Sequence, residues 1–402
     1  MRTRNLWVGA MALTLTLSAC NTTDLSKEDT APIDTELAPA NGEAIPGQYI
    51  VVLRGDAAAG KTRRELVDSF ESLPGVDMDH KYVSTIAGFS AHLTTSALND
   101  LRNDPAVDYI EEDRWVSLPP FEIQGGNDVH GFPKPDKPGG GPGGDTGGDP
   151  AQSLPWGISR VNGGVSYTGG GVAWILDSGV DQDHPDLNVD TGRSGSFLGG
   201  KEATNPDDQN GNGTHVAGTI AAIDNNIGVI GVAAGATVIS VRVLDRRGSG
   251  SYSGVIAGIE HVGANGNNGD VANMSLGGGK SQAVNDAVIA AAGKGIKFAL
   301  AAGNESQNTA NVSPASAEGN NIYTICATTS TDGWASYSNY GSEVDYCEPG
   351  SGIESTWKDG GYNTISGTSM ATPHAAGILL LGAIRIGGSV DGPDKSYTIG
   401  IH

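Results

Sequence analysis

The pattern that most constrains the fold is an alternation of short apolar segments with longer amphipathic ones from residue 154 onward. Short apolar runs bounded by turn residues predict buried strands, and apolar residues spaced three and four apart predict helices. This order predicts an α/β fold of three layers, with a mostly parallel central sheet and functional residues at the carboxyl ends of its strands. The predicted strands are Val172–Leu176, Thr237–Leu244, Val271–Leu276 and Ile296–Ala301, and the predicted helices are Thr214–Ile223, Tyr252–Val262 and Val284–Lys294.

The remainder of the 402-residue chain divides by composition. Residues 46–117 predict a small α+β domain with the order β-α-β-α-β. Residues 118–153 are rich in proline and glycine and predict a linker, because they contain too few apolar residues to form a core. Residues 21–45 are polar and predict a flexible tether, and residues 154–402 are expected to form the main domain.

Residues 1–20 have the features of an export signal. Arg2 and Arg4 precede an apolar run at Leu6–Leu17 that is too short to span a bilayer as a mature helix. The run ends in Leu17-Ser18-Ala19-Cys20, which resembles the bacterial lipobox and predicts a lipid on Cys20. An ordinary signal peptide with an incidental cysteine is the alternative. We therefore expect a bacterial protein that is secreted or anchored by lipid at the cell surface or outer membrane.

Charge and cysteine content narrow the function further. The chain has 24 Lys and Arg against 46 Asp and Glu, for a net charge of −22, which disfavours nucleic-acid binding and supplies carboxylates that suit calcium. In an exported protein, Cys326 and Cys347 can either form a disulfide or remain buried free thiols. The cysteine spacings contain no zinc-binding pattern.

Three polar blocks place chemistry at strand ends and helix starts. Asp177 ends an apolar strand, His215 lies in the block Asn210–Gly218, and Ser369 lies in the block Ser366–His374. A serine hydroxyl needs a base to take its proton, and a histidine oriented by a carboxylate can provide one. In this order the blocks resemble those of the subtilisin family of serine peptidases (peptidase S8), and most closely its proteinase K-like branch. The resemblance implies a triad of Asp177, His215 and Ser369 and peptide hydrolysis through an acyl-enzyme.

The same resemblance implies the rest of the site. Asn304 would donate its side-chain amide to the oxyanion beside the Ser369 N–H. An extended peptide would pair with two exposed backbone segments, and glycines would leave an open pocket for an apolar or aromatic P1 residue. Asp345 would help to bind a structural calcium ion, with Asp207 and Asp208 as an alternative site, and no organic cofactor is expected. The implied substrate-binding residues are Gly248, Ser249, Gly250, Tyr252, Ser275, Leu276, Gly277, Ala301, Ala302 and Gly303.

Residues 46–117 resemble the inhibitor-type (I9) propeptide of such enzymes, through Tyr49–Leu53, Ile86–Ser90 and Val107–Asp113. The resemblance implies a zymogen whose propeptide acts as intramolecular chaperone and inhibitor and is removed by self-cleavage. Because a linker follows, the cut is expected either near Trp115–Leu118 or near Gln152. We expect a monomer that acts on proteins and peptides.

Two other functional classes are alternatives to a peptidase. A binding scaffold without catalytic activity would require a broken triad, and none of the three predicted triad positions is broken. A lipase or esterase would be expected to have a Gly-x-Ser-x-Gly motif and the chain order Ser, Asp, His. Ser369 lies instead in Gly367-Thr368-Ser369-Met370-Ala371 and comes last. The sequence therefore favours a serine endopeptidase.

Overall fold

A computed structural model describes residues 40–55, 60–118, 122–123 and 152–402. The predicted signal peptide, Cys20, and most of the tether and linker lie outside these residues. Within the described ranges, no helix is both long and apolar enough to cross a membrane.

Residues 44–117, here called the N-terminal module, form an antiparallel sheet with two helices. The sheet order is β4-β1-β3-β2. The predicted order β-α-β-α-β omitted the strand β2, because the sequence VDMDHKY is mostly polar and the strand lies at the sheet edge. The elements are β1 (Ala44–Leu53), α1 (Arg63–Glu71), β2 (Val76–Tyr82), β3 (Gly88–Leu93), α2 (Thr95–Arg102) and β4 (Val107–Ser117).

Residues 152–402, here called the α/β body, follow a two-residue strand, β5 (Glu122–Ile123). The helices of the body are α3 (Trp156–Arg160), α4 (Asn212–Ala221), α5 (Tyr252–Asn265), α6 (Gln282–Ala292) and α7 (Thr368–Leu381). Its strands are β6 (Val165–Ser166), β7 (Ala173–Asp177), β8 (Asn188–Val189), β9 (Gly195–Ser196), β10 (Ala233–Ala234), β11 (Thr237–Arg242), β12 (Ser249–Ser251), β13 (Val271–Met274), β14 (Gly278–Gly279), β15 (Lys297–Ala301), β16 (Val312–Ser313), β17 (Ile322–Thr328), β18 (Val344–Pro349), β19 (Ile353–Trp357), β20 (Gly361–Ser366), β21 (Arg385–Asp391) and β22 (Ser396–Ile401).

The central sheet has the strand order β21-β22-β18-β17-β15-β13-β7-β11-β8. Every neighbouring pair along this path is parallel except β21 and β22, which form an antiparallel hairpin at one edge. The predicted α/β fold with a mostly parallel sheet is therefore confirmed.

Side chains of the central strands alternate between two helical layers. On β7, Trp174 and Leu176 pack in the cluster that contains α5 and α6, whereas Ala173 and Ile175 pack in the cluster that contains α4 and α7. All four side chains are fully buried. The near-continuous apolar sequence of β7 follows from this position, because a strand with helices on both faces has no solvent-exposed side.

The N-terminal module packs against α5 and α6 of the α/β body. Val116 and Tyr82 are buried in the same cluster as those helices. Glu111 accepts hydrogen bonds from the Ser281 hydroxyl at 2.7 Å and the Gln282 N–H at 2.8 Å, where α6 begins. From the other side, Glu260 of α5 accepts from backbone N–H groups of the module. The Glu111 carboxylate favours this docking, because a helix N-terminus such as that of α6 has unpaired N–H groups.

Cys326 and Cys347 face each other across the parallel pair β17 and β18, with their Cα atoms 4.3 Å apart. A disulfide joins them. Of the two states that the sequence allowed, the structure has the disulfide, and it ties two neighbouring strands of the central sheet.

Removal of the Glu111 carboxylate is expected to destabilise the docked chain. Glu111→Ala leaves the Ser281 hydroxyl and the first N–H groups of α6 without their acceptor, which is expected to lower the free energy of unfolding by about 1–3 kcal/mol. Glu112→Ala is the matched control, because Glu112 makes only a solvent-exposed ion pair with Arg114 and should change stability by less than about 0.5 kcal/mol. Urea unfolding of the full chain measures both, and equal effects would contradict the docking role of Glu111.

Candidate active site

The carboxyl ends of three neighbouring strands form the floor of the site. In the parallel register Met274 of β13 lies beside Leu176 of β7 and beside Leu300 of β15. The next residues along the first two strands, Ser275 and Asp177, therefore leave the sheet side by side. Parallel pairing thus brings segments that are about 100 residues apart in the chain to one edge.

Asp177 is fully buried and its carboxylate is held by two neighbours. The Ser178 N–H donates to Oδ1 at 2.7 Å. The Asn212 side-chain amide donates through Nδ2 to both carboxylate oxygens, at 3.0 and 2.9 Å. Burial raises the pKa of Asp177 to about 7, against the opposing effect of these hydrogen bonds. No histidine is hydrogen-bonded to this carboxylate among the described residues.

The start of α4 is built so that Asn212 reaches that carboxylate. Gly213 approaches the strand end so closely that a Cβ atom there would lie 1.9 Å from the carbonyl oxygen of Gly179. Asp208 is buried and accepts from the N–H and the hydroxyl of Thr214, at 2.9 and 2.6 Å, and from backbone N–H groups before the helix. These contacts cap the helix and fix the position of its first residue.

His215, predicted as the general base, lies elsewhere, so that prediction is wrong. It is three residues further along α4, and its Nε2 contacts the Ile353 carbonyl oxygen at 2.9 Å. Nδ1 is buried without a partner among the described residues, and burial lowers the pKa of His215 to about 4. The ring packs edge-on against Trp357. A histidine in this environment is a neutral packing residue, and it contacts neither Asp177 nor Ser369 by a hydrogen bond.

The block Asn212-Gly213-Thr214-His215 contains two polar side chains three residues apart at one helix start. The first residue of such a helix is the one closest to the strand ends. This position was the available signal for Asn212, and it was overlooked because histidine is the usual base.

Ser369 is the second residue of α7, where helix N–H groups are unpaired. Its hydroxyl donates to the Ser275 carbonyl oxygen at 3.0 Å, and the Ser275 hydroxyl donates back to the Ser369 carbonyl oxygen at 2.8 Å. Because Ser275 follows β13 beside Asp177, the serine lies at the same edge of the sheet as that carboxylate. Among the described residues, no imidazole is hydrogen-bonded to the serine hydroxyl.

Asn304 has its amide oriented by one neighbour. The N–H and the hydroxyl of Thr368 both donate to its Oδ1 at 2.8 Å. The Nδ2 group is therefore left on the side of Gly367, where a Cβ atom would lie 3.1 Å from it. A donor held in this way next to Ser369 suits stabilisation of an oxyanion.

A cavity of about 180 Å³ opens beside Ser369. Leu276, Gly277, Ala301, Gly303 and Val312 line it, together with the polar residues Asn41 and Glu305, which the sequence did not predict there. Ala302 is fully buried, and its carbonyl oxygen accepts a hydrogen bond from the Asn339 side-chain amide.

The predicted backbone-pairing segment is already paired with the N-terminal module. Strand β12 runs antiparallel to β4, with Gly250 opposite Val116 and Ser249 opposite Ser117. The N–H of Leu118 then donates to the Gly248 carbonyl oxygen at 2.8 Å. Tyr252 follows β12 as the first residue of α5, is buried, and donates its hydroxyl to the Gly279 carbonyl oxygen.

Oxygen atoms suited to a cation gather at two places. Asp345 accepts from the Thr324 N–H at 2.8 Å, and the carbonyl of Ala315 accepts from the hydroxyl of the same threonine at 2.9 Å. Elsewhere, the side-chain nitrogen of Gln152 meets three oxygens at once, at 2.6, 3.3 and 3.2 Å; they are the Ile223 carbonyl, Asn225 Oδ1 and the Val229 carbonyl. Asp208 accepts hydrogen bonds from the Ser178 hydroxyl and from the groups that it caps at the start of α4. No cluster of three acidic, histidine or cysteine ligands occurs in the described ranges.

The buried carboxylate of Asp177 is expected to make stability depend on pH. Its pKa is about 7 in the folded chain, against 3.8 as its ordinary value, so the folded state holds a proton that the unfolded state has lost between about pH 4 and pH 7. Stability from this group therefore falls as pH rises through that window, by at most about 1.4 kcal/mol per pH unit. Asp177→Asn should remove this slope when the free energy of unfolding in urea is measured between pH 5 and pH 8. If the free energy of the parent and of the variant changes equally with pH, the assignment of the slope to Asp177 is contradicted.

Comparison with known proteins identifies the fold and the module. A family model described as "Subtilase family" matches residues 171–383, and a model described as "Peptidase inhibitor I9" matches residues 48–119. The chain is 40% identical to alkaline serine exoprotease A of Vibrio alginolyticus over 88% of its own length and 63% of that protein. It is 37% identical to subtilisin E of Bacillus subtilis (strain 168) over 95% and 89% of the two chains.

A solved cold-adapted subtilisin-like serine proteinase is 40% identical and is covered to 83%, over 56% of this chain, with a TM-score of 0.47. The subtilase model matches more than half of the chain, and subtilisin E is matched over most of its length. This chain belongs to the subtilase family of serine endopeptidases, and an I9 inhibitor propeptide precedes its catalytic domain.

Proposed function

We propose that the α/β body binds protein or peptide substrates as an extended strand and that Ser369 is the nucleophile of an acyl-enzyme reaction. The observation that supports this most is the pairing of the chain's own strand β4 with β12, which continues to the Leu118–Gly248 hydrogen bond beside the site. Backbone pairing of this kind binds many sequences, because it uses main-chain groups that all residues share.

The chemistry follows from the groups around Ser369. A bond forms between its Oγ and the substrate carbonyl carbon, the bond to the leaving amine breaks, and the hydroxyl proton must pass to that amine. Asn304 Nδ2 and the Ser369 N–H would donate to the oxyanion, and one such donor contributes roughly 3–4 kcal/mol. No imidazole of the described residues contacts Ser369 or Asp177 to carry out this proton transfer, so we expect turnover to be slow.

The pocket beside Ser369 sets the proposed preference at P1. Leu276, Ala301 and Val312 present apolar surface there, and glycines leave the walls low. We therefore propose an apolar or aromatic P1 residue. Glu305 at the same pocket makes an acidic P1 residue unfavourable, because two carboxylates would approach each other.

Export belongs to the same proposal. The basic and apolar start of the chain supports a signal peptide, Cys20 supports a lipid anchor, and the relationship to an exoprotease agrees with a site outside the cytoplasm. The N-terminal module would act as intramolecular chaperone and inhibitor, and the domain boundaries stay as predicted from the sequence. We propose that the chain works as a monomer.

Calcium is proposed as a structural ion, bound by the oxygen atoms described above. One amide nitrogen has only two hydrogens, yet the nitrogen of Gln152 meets three oxygens, so that arrangement suits a cation better than an amide. Asp186, which accepts from the Asn225 amide at 3.1 Å, would add a carboxylate. Asp345 and the Ala315 carbonyl form the second proposed site. Bound calcium would supply stability and no reaction step.

Acyl transfer to Ser369 is expected to be directly visible. A peptide p-nitrophenyl ester with leucine at P1 should acylate the chain slowly, and the adduct should persist because deacylation also needs a base. Intact mass should rise by one acyl group, on the tryptic peptide that contains Ser369. Ser369→Ala should gain none, and an ester with aspartate at P1 should react at least ~10-fold more slowly. Equal labelling of Ser369→Ala would contradict the proposed nucleophile.

Calcium should raise the melting temperature of the full chain, and a chelator should lower it. A ligand that binds only the folded state stabilises it by about 2.7 kcal/mol at 100 times its Kd. Asp186→Asn should reduce the calcium-dependent shift, whereas Asp183→Asn, at an exposed neighbour outside the proposed sites, should keep it. If calcium does not raise the melting temperature of the parent chain, the calcium proposal is contradicted.

A further inference from the structure

We propose that Asn212 occupies the position of the general base, and that the chain therefore remains an uncleaved zymogen in which Ser117 and Leu118 stay paired with the segment Gly248–Ser249 at the cleft. This proposal rests on Ser369 being the nucleophile, as proposed above. A triad with Asn212 in place of the histidine is broken, so the alternative of a binding scaffold without catalytic activity applies again.

The first support is what contacts Asp177. In a serine triad the group hydrogen-bonded to the aspartate is an imidazole, which takes the serine proton and returns it to the leaving amine. Here the group is the Asn212 amide, 1% exposed and bonded to both carboxylate oxygens. An amide nitrogen donates and its oxygen accepts hydrogen bonds, but neither atom takes up a proton near neutral pH. The aspartate is thus paired with a group that cannot act as a base.

The second support is the position of the other histidines. Besides His215 on its carbonyl partner, His374 contacts the Met370 carbonyl oxygen through Nδ1, and His184 contacts the Gly361 carbonyl oxygen through Nε2. Across the described part of the chain, no histidine is hydrogen-bonded to Ser369. His130 lies outside the described residues and is tested separately below.

The third support is that the chain pairs with the α/β body at two places, at β12 and at β20, the strand that ends shortly before Ser369. Ser117 and Leu118 pair with Ser249 and Gly248 on one side. A few residues later, β5 pairs antiparallel with β20, and Glu122 lies opposite Ser366, only three residues before the nucleophile. The chain is therefore paired with the α/β body both before and after residues 119–121, and we expect any cut by Ser369 to fall between Leu118 and Glu122.

The lack of a base at Asn212 and the pairing of the chain's own segment both disfavour cleavage of a free substrate. The covalent link keeps the segment at a high effective concentration beside the cleft, so a free substrate must compete with it. Two of the peptide bonds concerned, Leu118–Pro119 and Pro119–Pro120, are also bonds to proline nitrogen. Without a base, the chain is not cut between Leu118 and Glu122. Without that cut, Ser117 and Leu118 stay paired with Ser249 and Gly248 at the cleft.

The test is to supply the missing imidazole in the full chain. Asn212→His should split the chain between residues 118 and 122, as read by N-terminal sequencing, and raise kcat/KM for a P1-leucine peptide ester by at least ~10³-fold. Its rate should rise with pH through an apparent pKa near about 6.5, as an imidazole base requires. Asn212→Gln, which restores no base, should leave the chain whole and inactive.

Further variants separate the outcomes. The double variant Asn212→His with Ser369→Ala should remain uncut. If it is cut as fast as Asn212→His, Ser369 is not the nucleophile. The pH profile of Asn212→His tests the base assignment independently of the nucleophile. If Asn212→His does not fold, Asn212→Ala with added imidazole should show activity that rises with imidazole concentration. Three results would overturn the base assignment. The parent chain could be as active as Asn212→His, or His130→Ala could abolish the parental activity. The third is an Asn212→His variant that folds but gains no activity. A cut near Gln152 instead would overturn the assignment of the cleft-bound segment.

Discussion

Parallel pairing of β7 with β13, and of β13 with β15, is the constraint on which the site depends. It aligns the carboxyl ends of strands from distant parts of the sequence, so that Asp177 and Ser275 leave the sheet together and Asn304 follows from the next strand. Helices α4 and α7 begin above this edge, with Asn212 and Ser369 in their first turns. A change of register in any one strand would separate groups that must lie within hydrogen-bond distance.

The contact between Asn212 and Asp177 gives this family member its particular character. The surrounding structure is that of a peptidase: a serine at a helix start, an oriented asparagine amide, and an apolar pocket. The aspartate, however, is buried against an amide, which explains why burial dominates its pKa. With Asn212 in the position of the base, as we propose, the cleft would retain a peptide strand rather than hydrolyse it, and the N-terminal module provides such a strand through β4.

Much of this structure could be predicted from the sequence, because it depends on local patterns. Apolar runs such as Val172–Leu176 predicted the parallel sheet, and three polar blocks predicted which loops meet. The edge strand β2 was missed because its polar side chains do not show the pattern of a buried strand. His215 was misassigned because the sequence gives the composition of a block but not which residue of a helix turn points at the strand ends. The pairing of β5 with β20 joins distant segments and has no local signal.

The mass of the intact parent protein tests the central claim most directly. After purification and prolonged incubation at neutral pH, the account predicts one polypeptide in which the N-terminal module is still joined to the α/β body. A break between residues 118 and 122 that forms in the parent chain but is absent from Ser369→Ala would show that a base is present, and would contradict the account.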